Sequence, residues 1–357
     1  MAKRKTLDIY CNLVYGGWSA KQLETGIGGS EEKLIELAEG LAQINWKVRV
    51  YMNGEHGKFN GVEYLDFRAF KPMEHRNAFI SFKNVSELLN TINADKIIHL
   101  TTEIEAEWPK FLLDAIDGVY CISKYHQSRM TQNPKIGFKY LWFDKARMDR
   151  KFITDKEEGS VLYSSSFDRG LEDLLTNWDL MKEKLGVKKL YITYGWDFMV
   201  NMIKARPELI HWKHHMEELM GFKEVTTVCE HCGQSKTETV QTRDDIVFVG
   251  RLTNDEMCQM YWQCQYWALP LNNPESELFC INAIKAQYAG CIPIVRKIGA
   301  LQETVNECYN FDWILGRPNQ QNSITENTVE NNRKFAKKFV MTKALEEWNE
   351  LLTSKNT

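Results

Sequence analysis

The sequence predicts an α/β protein built from two Rossmann-like halves, and three observations carry that prediction. The first is length: 357 residues exceed what one hydrophobic core usually organises and suit two domains. The second is the opening stretch, where a mostly apolar strand (Leu7 to Leu13), a glycine-rich turn, a helix and another strand (Lys47 to Met52) follow in order. The third is a βαβ unit late in the chain. There Tyr266 to Pro270 reads as a strand and Asn273 to Glu277 as an acidic turn. Apolar residues at helical spacing run from Phe279 to Tyr288, Gly290 is a stop, and Ile292 to Val295 is a buried parallel strand.

Composition narrows the class. A hydrophobic share of 43% and a charged share of 26% are those of a globular protein that folds in water. A formal net charge of −3 argues against a general nucleic-acid binder and leaves room only for a local basic groove. No apolar run is long enough to span a bilayer, and the basic start from Met1 to Lys5 is not followed by the apolar core of a signal peptide. The nine cysteines lie mostly in apolar or helical segments and read as reduced thiols of a cytoplasmic protein.

In the first half, Ser30 is placed to cap a helix whose buried face is Leu34, Ile35, Leu37, Ala38 and Leu41. Gly28 and Gly29 before it allow close backbone approach, and exposed amides at such a helix start suit a diphosphate. Asp95 to Glu103 reads as a strand ending in polar groups, with His99 either a ligand or a core histidine bonded to backbone. Val119 to Ser123 is a further buried strand, and Leu141 to Lys151 is the crossover between halves.

The second half opens with a strand from Val161, the serine-rich turn Ser164, Ser165 and Ser166, and then Arg169 and Gly170 before a helix with Leu171, Leu174 and Leu175 inside. Hydroxyls, helix amides and one guanidinium converge there, a chemistry suited to a diphosphate. Leu190 to Asp197 is another strand end, where Trp196 stacks on a ligand base or anchors the cleft. Pro207 to Met220 reads as a helix, and Asn332 to Leu352 as a terminal helix with Phe335, Phe339, Leu345, Trp348 and Leu352 on its apolar side. Cys229 and Cys232 form half of a zinc knuckle, a structural zinc site that His231, His211, His214 or His215 would have to complete; a bare hairpin tip is the alternative.

These segments together resemble the retaining nucleotide-sugar glycosyltransferases of the GT-B fold, family four (group one). Glu277, Phe279, Ala286 and Gly290 match that family's donor-site motif, while Lys285 stands where the family has a second Glu that usually holds the nucleotide ribose. Lys285 suits a phosphate better than a pair of hydroxyls. Gly28 to Glu31 resembles the loop and helix start that face the donor phosphates, and Arg169 fills the basic place before Gly170. Serines occupy the second basic place, and Lys285 is inferred to supply the missing charge. Strand length puts Thr102 and Glu103 at the family's sugar-contacting His-Asp position, near His99. Asp245 to Met257, with Arg251, and Ile298 to Val305 resemble further donor-cleft segments.

The resemblance implies an amino-terminal domain, 1–150, on the acceptor side, completed by a carboxyl-terminal helix at about 340–357 that crosses back to it. It implies a donor-side domain, 151–339, carrying the insertion at about 222–242. It implies transfer of a hexosyl or pentosyl group from a UDP-, GDP- or similar nucleotide-sugar with retention of configuration. No Asp-x-Asp stands in a metal-binding place, so the expected chemistry is metal-independent. Glu277, His99 and Glu103 are the catalytic candidates. Gly28, Gly29, Ser165, Ser166, Arg169, Gly170, Trp196, Arg251, Phe279 and Lys285 are the donor-binding ones. The acceptor is open between glycan, lipid, protein and, as a minority reading, a hydroxymethylated DNA base. A non-catalytic module that binds a sugar-nucleotide or glycan is the rival from another class.

Overall fold

Central strands of a parallel sheet are buried on both faces, so they read as near-continuous apolar runs, and the middle strands here do. β1 (Lys5–Cys11) is buried from Leu7 onward, and β5 (Ala78–Phe82) is buried throughout. The structure, a computed structural model, describes residues 4–12, 17–83, 85–105, 107–196, 200, 203–228 and 235–354. With β2 (Trp46–Met52), β3 (Gly57–Phe59), β4 (Val62–Asp66), β6 (Ile97–Leu100), β7 (Gly118–Cys121) and β8 (Ile136–Phe138), these strands make an eight-stranded sheet in the order 3-4-2-1-5-6-7-8. All its pairs are parallel except β3 with β4.

The second sheet has six parallel strands. They are β9 (Glu157–Tyr163), β10 (Lys189–Thr193), β13 (Ile246–Gly250), β14 (Cys264–Leu269), β15 (Ile292–Val295) and β16 (Tyr309–Asn310), in the order 13-10-9-14-15-16. β11 (Phe222–Val228) and β12 (Ser235–Gln241) form a separate antiparallel ribbon. Each large sheet therefore reverses its strand order once, beside β1 in the first and beside β9 in the second. Such a reversal opens a crevice at the strands' carboxyl ends.

The chain passes between the sheets twice, and the two passages are joined. Phe143 N–H donates to Phe339 O at 2.9 Å, and Met341 N–H donates to Phe143 O at 3.0 Å. This pairing interrupts the helix expected from Asn332 to Leu352. Two helices, Thr328–Ala336 and Met341–Thr353, flank an extended Val340 whose backbone pairs with Phe143. The last helix crosses back to the first sheet. It lies so close to the Gly29–Gln43 helix that a Cβ on Gly40 would meet Leu345 Cδ1 at 2.5 Å, and Trp46 Nε1 donates to Asn349 Oδ1 at 2.9 Å.

Two expected caps are corrected. Gly28, in extended conformation, is the N-cap of the Gly29–Gln43 helix, and Ser30 is its second residue. Ser276 ends a short 3₁₀ turn (Pro274–Ser276), and the following helix starts later, at Ile281, with Cys280 as N-cap. Pro274 fixes that turn, and the chain stays extended at Glu277 before the helix can begin.

Gly170 shows how closely the turns after β9 and β14 meet. Its φ is +89°, and a Cβ there would lie 2.3 Å from Pro270 O. Gly170→Ala is expected to cost about 2–4 kcal/mol, combining left-handed strain with a backbone clash. Urea unfolding of the variant checks it; a loss under about 0.5 kcal/mol would mean that the two turns are not held together as described.

The seven described cysteines (Cys11, Cys121, Cys258, Cys264, Cys280, Cys291 and Cys308) are buried and unpaired. No helix among the described residues is long and apolar enough to cross a membrane.

Candidate functional site

The carboxyl ends of both sheets face one cleft of about 460 Å³, a size suited to a nucleotide-sized ligand. Its walls come from the turns after β1, β6, β9, β10, β13 and β14.

At the reversal beside β9, two turns place one acid and one base together. Arg169 follows β9 and Glu277 follows β14. Arg169 Nη1 donates to Glu277 Oε2 at 2.8 Å, with side-chain exposures of 34% and 12%. Burial pushes the Glu277 carboxyl above its ordinary range despite the Arg169 charge and the Phe279 backbone N–H that favour ionisation. Arg169 moves up as well: burial opposes its charge, but Glu277 and Asp168 outweigh it. A carboxylate held close to protonation beside a fixed guanidinium is typical of a working site. Ser164, Ser165 and Ser166 line the same wall; Ser164 O accepts from Asn282 Nδ2 at 2.6 Å, tying the turn to the Ile281–Tyr288 helix.

The first sheet supplies the opposite wall. Gly28 and Gly29 line the cleft at the start of a helix of 15 residues, with its unpaired amides at that end. Gly26 ahead of them has φ +102°, and a Cβ on it would lie 3.0 Å from Leu252 O, so this loop touches the second half. Arg251 Nη2 donates to Gly26 O at 3.2 Å, while Asn254 Nδ2 and Arg147 Nη1 donate to Leu23 O at 2.7 and 2.8 Å.

Glu103 and Thr102 also line the cleft, on a loop fastened from beneath. Glu103 O accepts from Thr101 Oγ1 at 3.0 Å and from His126 Nε2 at 2.8 Å. The other ring nitrogen, Nδ1, accepts from Ile122 N–H at 3.3 Å, which assigns the neutral tautomer with its proton on Nε2. Burial lowers the His126 pKa in keeping with that.

Lys285 reaches across the cleft to the first half. Its Nζ lies 2.9 Å from Glu32 Oε1, and Lys33 Nζ lies 2.9 Å from the same oxygen and 2.6 Å from Glu36 Oε2. All three first-half residues are buried. Burial opposes the Glu32 charge, but Lys285 and Lys33 prevail and hold its carboxyl well below the usual range. Burial raises Glu36, which faces Lys33 alone at close range.

The cleft thus gathers Glu277, Glu103, Gly28, Gly29, Ser165, Ser166, Arg169, Arg251, Phe279 and Lys285 from the residues expected of it. Gly170 lies directly behind, at the contact with Pro270. Three expectations differ. His99 is fully buried, off the cleft wall, with neither ring nitrogen hydrogen-bonded; Nε2 is 3.8 Å from Glu105 Oε1 and the ring packs on Trp108 at 5.0 Å. Trp196 packs on Phe167 at 4.5 Å, whereas the cleft is lined by its neighbours Tyr194 and Gly195. Phe279 is an anchor, its ring 5.9 Å from Tyr140 and 5.8 Å from Phe339. Cys229, Cys232 and His231 lie outside the described residues; among the described ones no group of three His, Cys, Asp or Glu side chains is placed to hold a metal.

Sequence reasoning missed Glu32, Lys33 and Glu36, because buried charges have no periodic signature of their own. Tyr194 was missed too. It is 41% exposed at the cleft with φ +96°, a strained setting for a tyrosine, and nothing in its neighbours' sequence announces it.

Two Rossmann-like parallel sheets with a cleft between their carboxyl ends and a terminal helix crossing back constitute the GT-B glycosyltransferase fold, and this chain has it. No family model matches the sequence, and no curated protein does. Solved structures do. The sucrose-phosphate synthase of Thermosynechococcus elongatus is 14% identical, with 98% of each chain covered and a TM-score of 0.63. HepE of Anabaena, solved in complex with UDP-glucose, is 12% identical over 98% of this chain and 99% of its own, with a TM-score of 0.64. A glycosyltransferase of Rickettsia africae is 11% identical over 98% of both, with a TM-score of 0.65.

Proposed function

We propose that the protein is a glycosyltransferase that moves a hexosyl or pentosyl group from a nucleotide-sugar to an acceptor, with retention of configuration and without a divalent metal. The observation that carries the reading is the Arg169–Glu277 pair at the strand-order reversal of the second sheet, facing the glycine-rich helix start of the first. The UDP-glucose complex of HepE supports a nucleotide-sugar as the ligand. The two domains of the reading divide near residue 150.

Each residue has a task. The departing nucleoside diphosphate gathers negative charge, which Arg169, the Ser165 and Ser166 turn and the amides following Gly28 meet with fixed dipoles and one cation. Glu277 accepts hydrogen bonds from the sugar hydroxyls, and its charge lies where positive character builds at the anomeric carbon. Retention follows if the acceptor attacks from the face that the diphosphate leaves. Glu103 faces the sugar from the first half. Contacts such as Arg251 with Gly26 close the cleft and keep water from the donor. Tyr194 takes the role that the sequence offered to Trp196, a face for the nucleotide base.

A thermal-shift panel of UDP-, GDP-, ADP- and dTDP-sugars tests the reading. At least one is expected to raise Tm by several degrees at a hundredfold excess over its Kd, because binding to the folded state alone adds about 2.7 kcal/mol. A flat response to all four would dismiss it.

A further inference from the structure

The proposed function leaves one cluster unused: Glu32, Lys33, Glu36 and Lys285, four buried or nearly buried charges that join the two halves at the cleft wall. Burying ions costs several kcal/mol each even when they are paired, and apolar residues of like size would usually hold two helices together as well. Glu32 and Lys285 both line the cleft, so this cost is incurred where a ligand lies.

The pattern of contacts says which ligand groups would match. Both lysines bind the same carboxylate oxygen, Oε1 of Glu32, leaving Oε2 outside those two contacts. The ammonium of Lys285 has three N–H donors, and Glu32 takes one. A hydrogen-bond acceptor and a hydrogen-bond donor thus stand side by side with their charges cancelled. An anion would meet Glu32, and a cation would have to displace a lysine. A neutral pair of adjacent hydroxyls fits: one donates to Glu32 Oε2, and its neighbour accepts from Lys285 Nζ.

We propose that Glu32, held ionised by Lys285 and Lys33, is the diol-recognising residue of this cleft, binding vicinal hydroxyls of the donor together with Lys285. This rests on the nucleotide-sugar reading above. It also gives Lys285 a different employment from the phosphate cation that its charge alone implies; Arg169 is then the principal cation for the diphosphate. The diol belongs either to the ribose or to the transferred sugar.

The test compares binding ratios in the full-length protein by calorimetry. UDP, GDP and ADP are each set against the 2′-deoxy counterpart, and UDP-glucose against UDP-2-deoxyglucose. One hydrogen bond to a charged group predicts that wild type prefers the hydroxylated ligand of one series by about tenfold or more. Glu32→Gln, which keeps the shape and loses the charge, is expected to bring that ratio to within about twofold of unity. The series in which the ratio collapses tells ribose from sugar. Glu32→Asp and the exchange Glu32→Lys with Lys285→Glu guard against a variant that fails to fold. The first draws the carboxylate back and is expected to give an intermediate ratio; the second retains the ion pair with the acid on the opposite wall. A purely structural role would lower Tm in Glu32→Gln and leave the ratios at their wild-type values, and that result overturns the proposal. Wild type that binds none of these nucleotides defeats the glycosyltransferase reading itself, and this inference with it.

Discussion

Glu277→Gln is expected to lower kcat/KM by about 10²–10³-fold with the donor identified by the thermal-shift panel, the usual effect of removing a preorganised electrostatic contact. Glutamine keeps the side-chain length and one oxygen for the Arg169 contact at 2.8 Å, so the loss reads the charge and not the packing. Arg169→Met is expected to fall by a similar factor. The double variant should fall by much less than the product of the two, because both residues act through one ion pair. The pH profile gives an independent reading. Glu277 lies above its ordinary range because burial disfavours its charge. It works ionised, so activity is lost as pH falls through that raised pKa, and the acid limb of kcat/KM sits at a higher pH than an exposed glutamate would give. The Gln variant should lack that limb. Wild-type kcat/KM in Glu277→Gln would remove the catalytic role assigned here.

Lys285→Met is expected to have the largest effect on stability, a loss of about 3–5 kcal/mol in urea unfolding, since it leaves a buried carboxylate short of a partner. The side chains concerned are 13% and 7% exposed, so solvent screens the pair little. The sign of the pH dependence follows from Glu32. Its pKa is held below the ordinary range, so its contribution to stability is complete above the unfolded carboxylate pKa and is lost only as pH falls through the depressed native value. Without Lys285 burial acts against Lys33 alone, the native pKa rises, and protonation relieves the burial. The deficit relative to wild type should therefore be larger at pH 8 than at pH 5. Adding Glu32→Gln should restore much of the loss. A deficit that is independent of pH would show that lost packing, not charge, causes it.

Much of the fold was legible because parallel strands and amphipathic helices have periods of their own. Ile292 to Val295 is a strand with the bounds that the sequence implied, and the stripe of Leu171, Leu174 and Leu175 is buried as its spacing requires. Helix starts were harder. Ser30 and Ser276 are good capping residues, but the chain at Gly28 and at Cys280 had to serve the cleft geometry, and local preference yielded. The gathering of Arg169 and Glu277 in one cleft agrees with the expectation drawn from their turns; their chemical roles await the experiments above. What could not be read was pairing across the cleft. Lys285 looked like a free cation because its partner lies 253 residues earlier, in a helix whose apolar positions alone drew notice. Trp196 and Tyr194 are two residues apart on one strand end. Which of them faces ligand depends on a left-handed backbone at Tyr194 that composition does not encode.

The pairing of Phe143 with Phe339 and Met341 has a mechanical consequence. Both covalent tethers between the halves run through one hydrogen-bonded seam, so the easiest large motion is a swing about that seam, like a book about its spine. Residues beside it, Tyr140 and Phe279 among them, would stay put, while the far rim, where Arg251 meets Gly26, would travel most. Donor entry and product departure would then be timed by the breaking of a few rim contacts, leaving the packed interior of each half undisturbed.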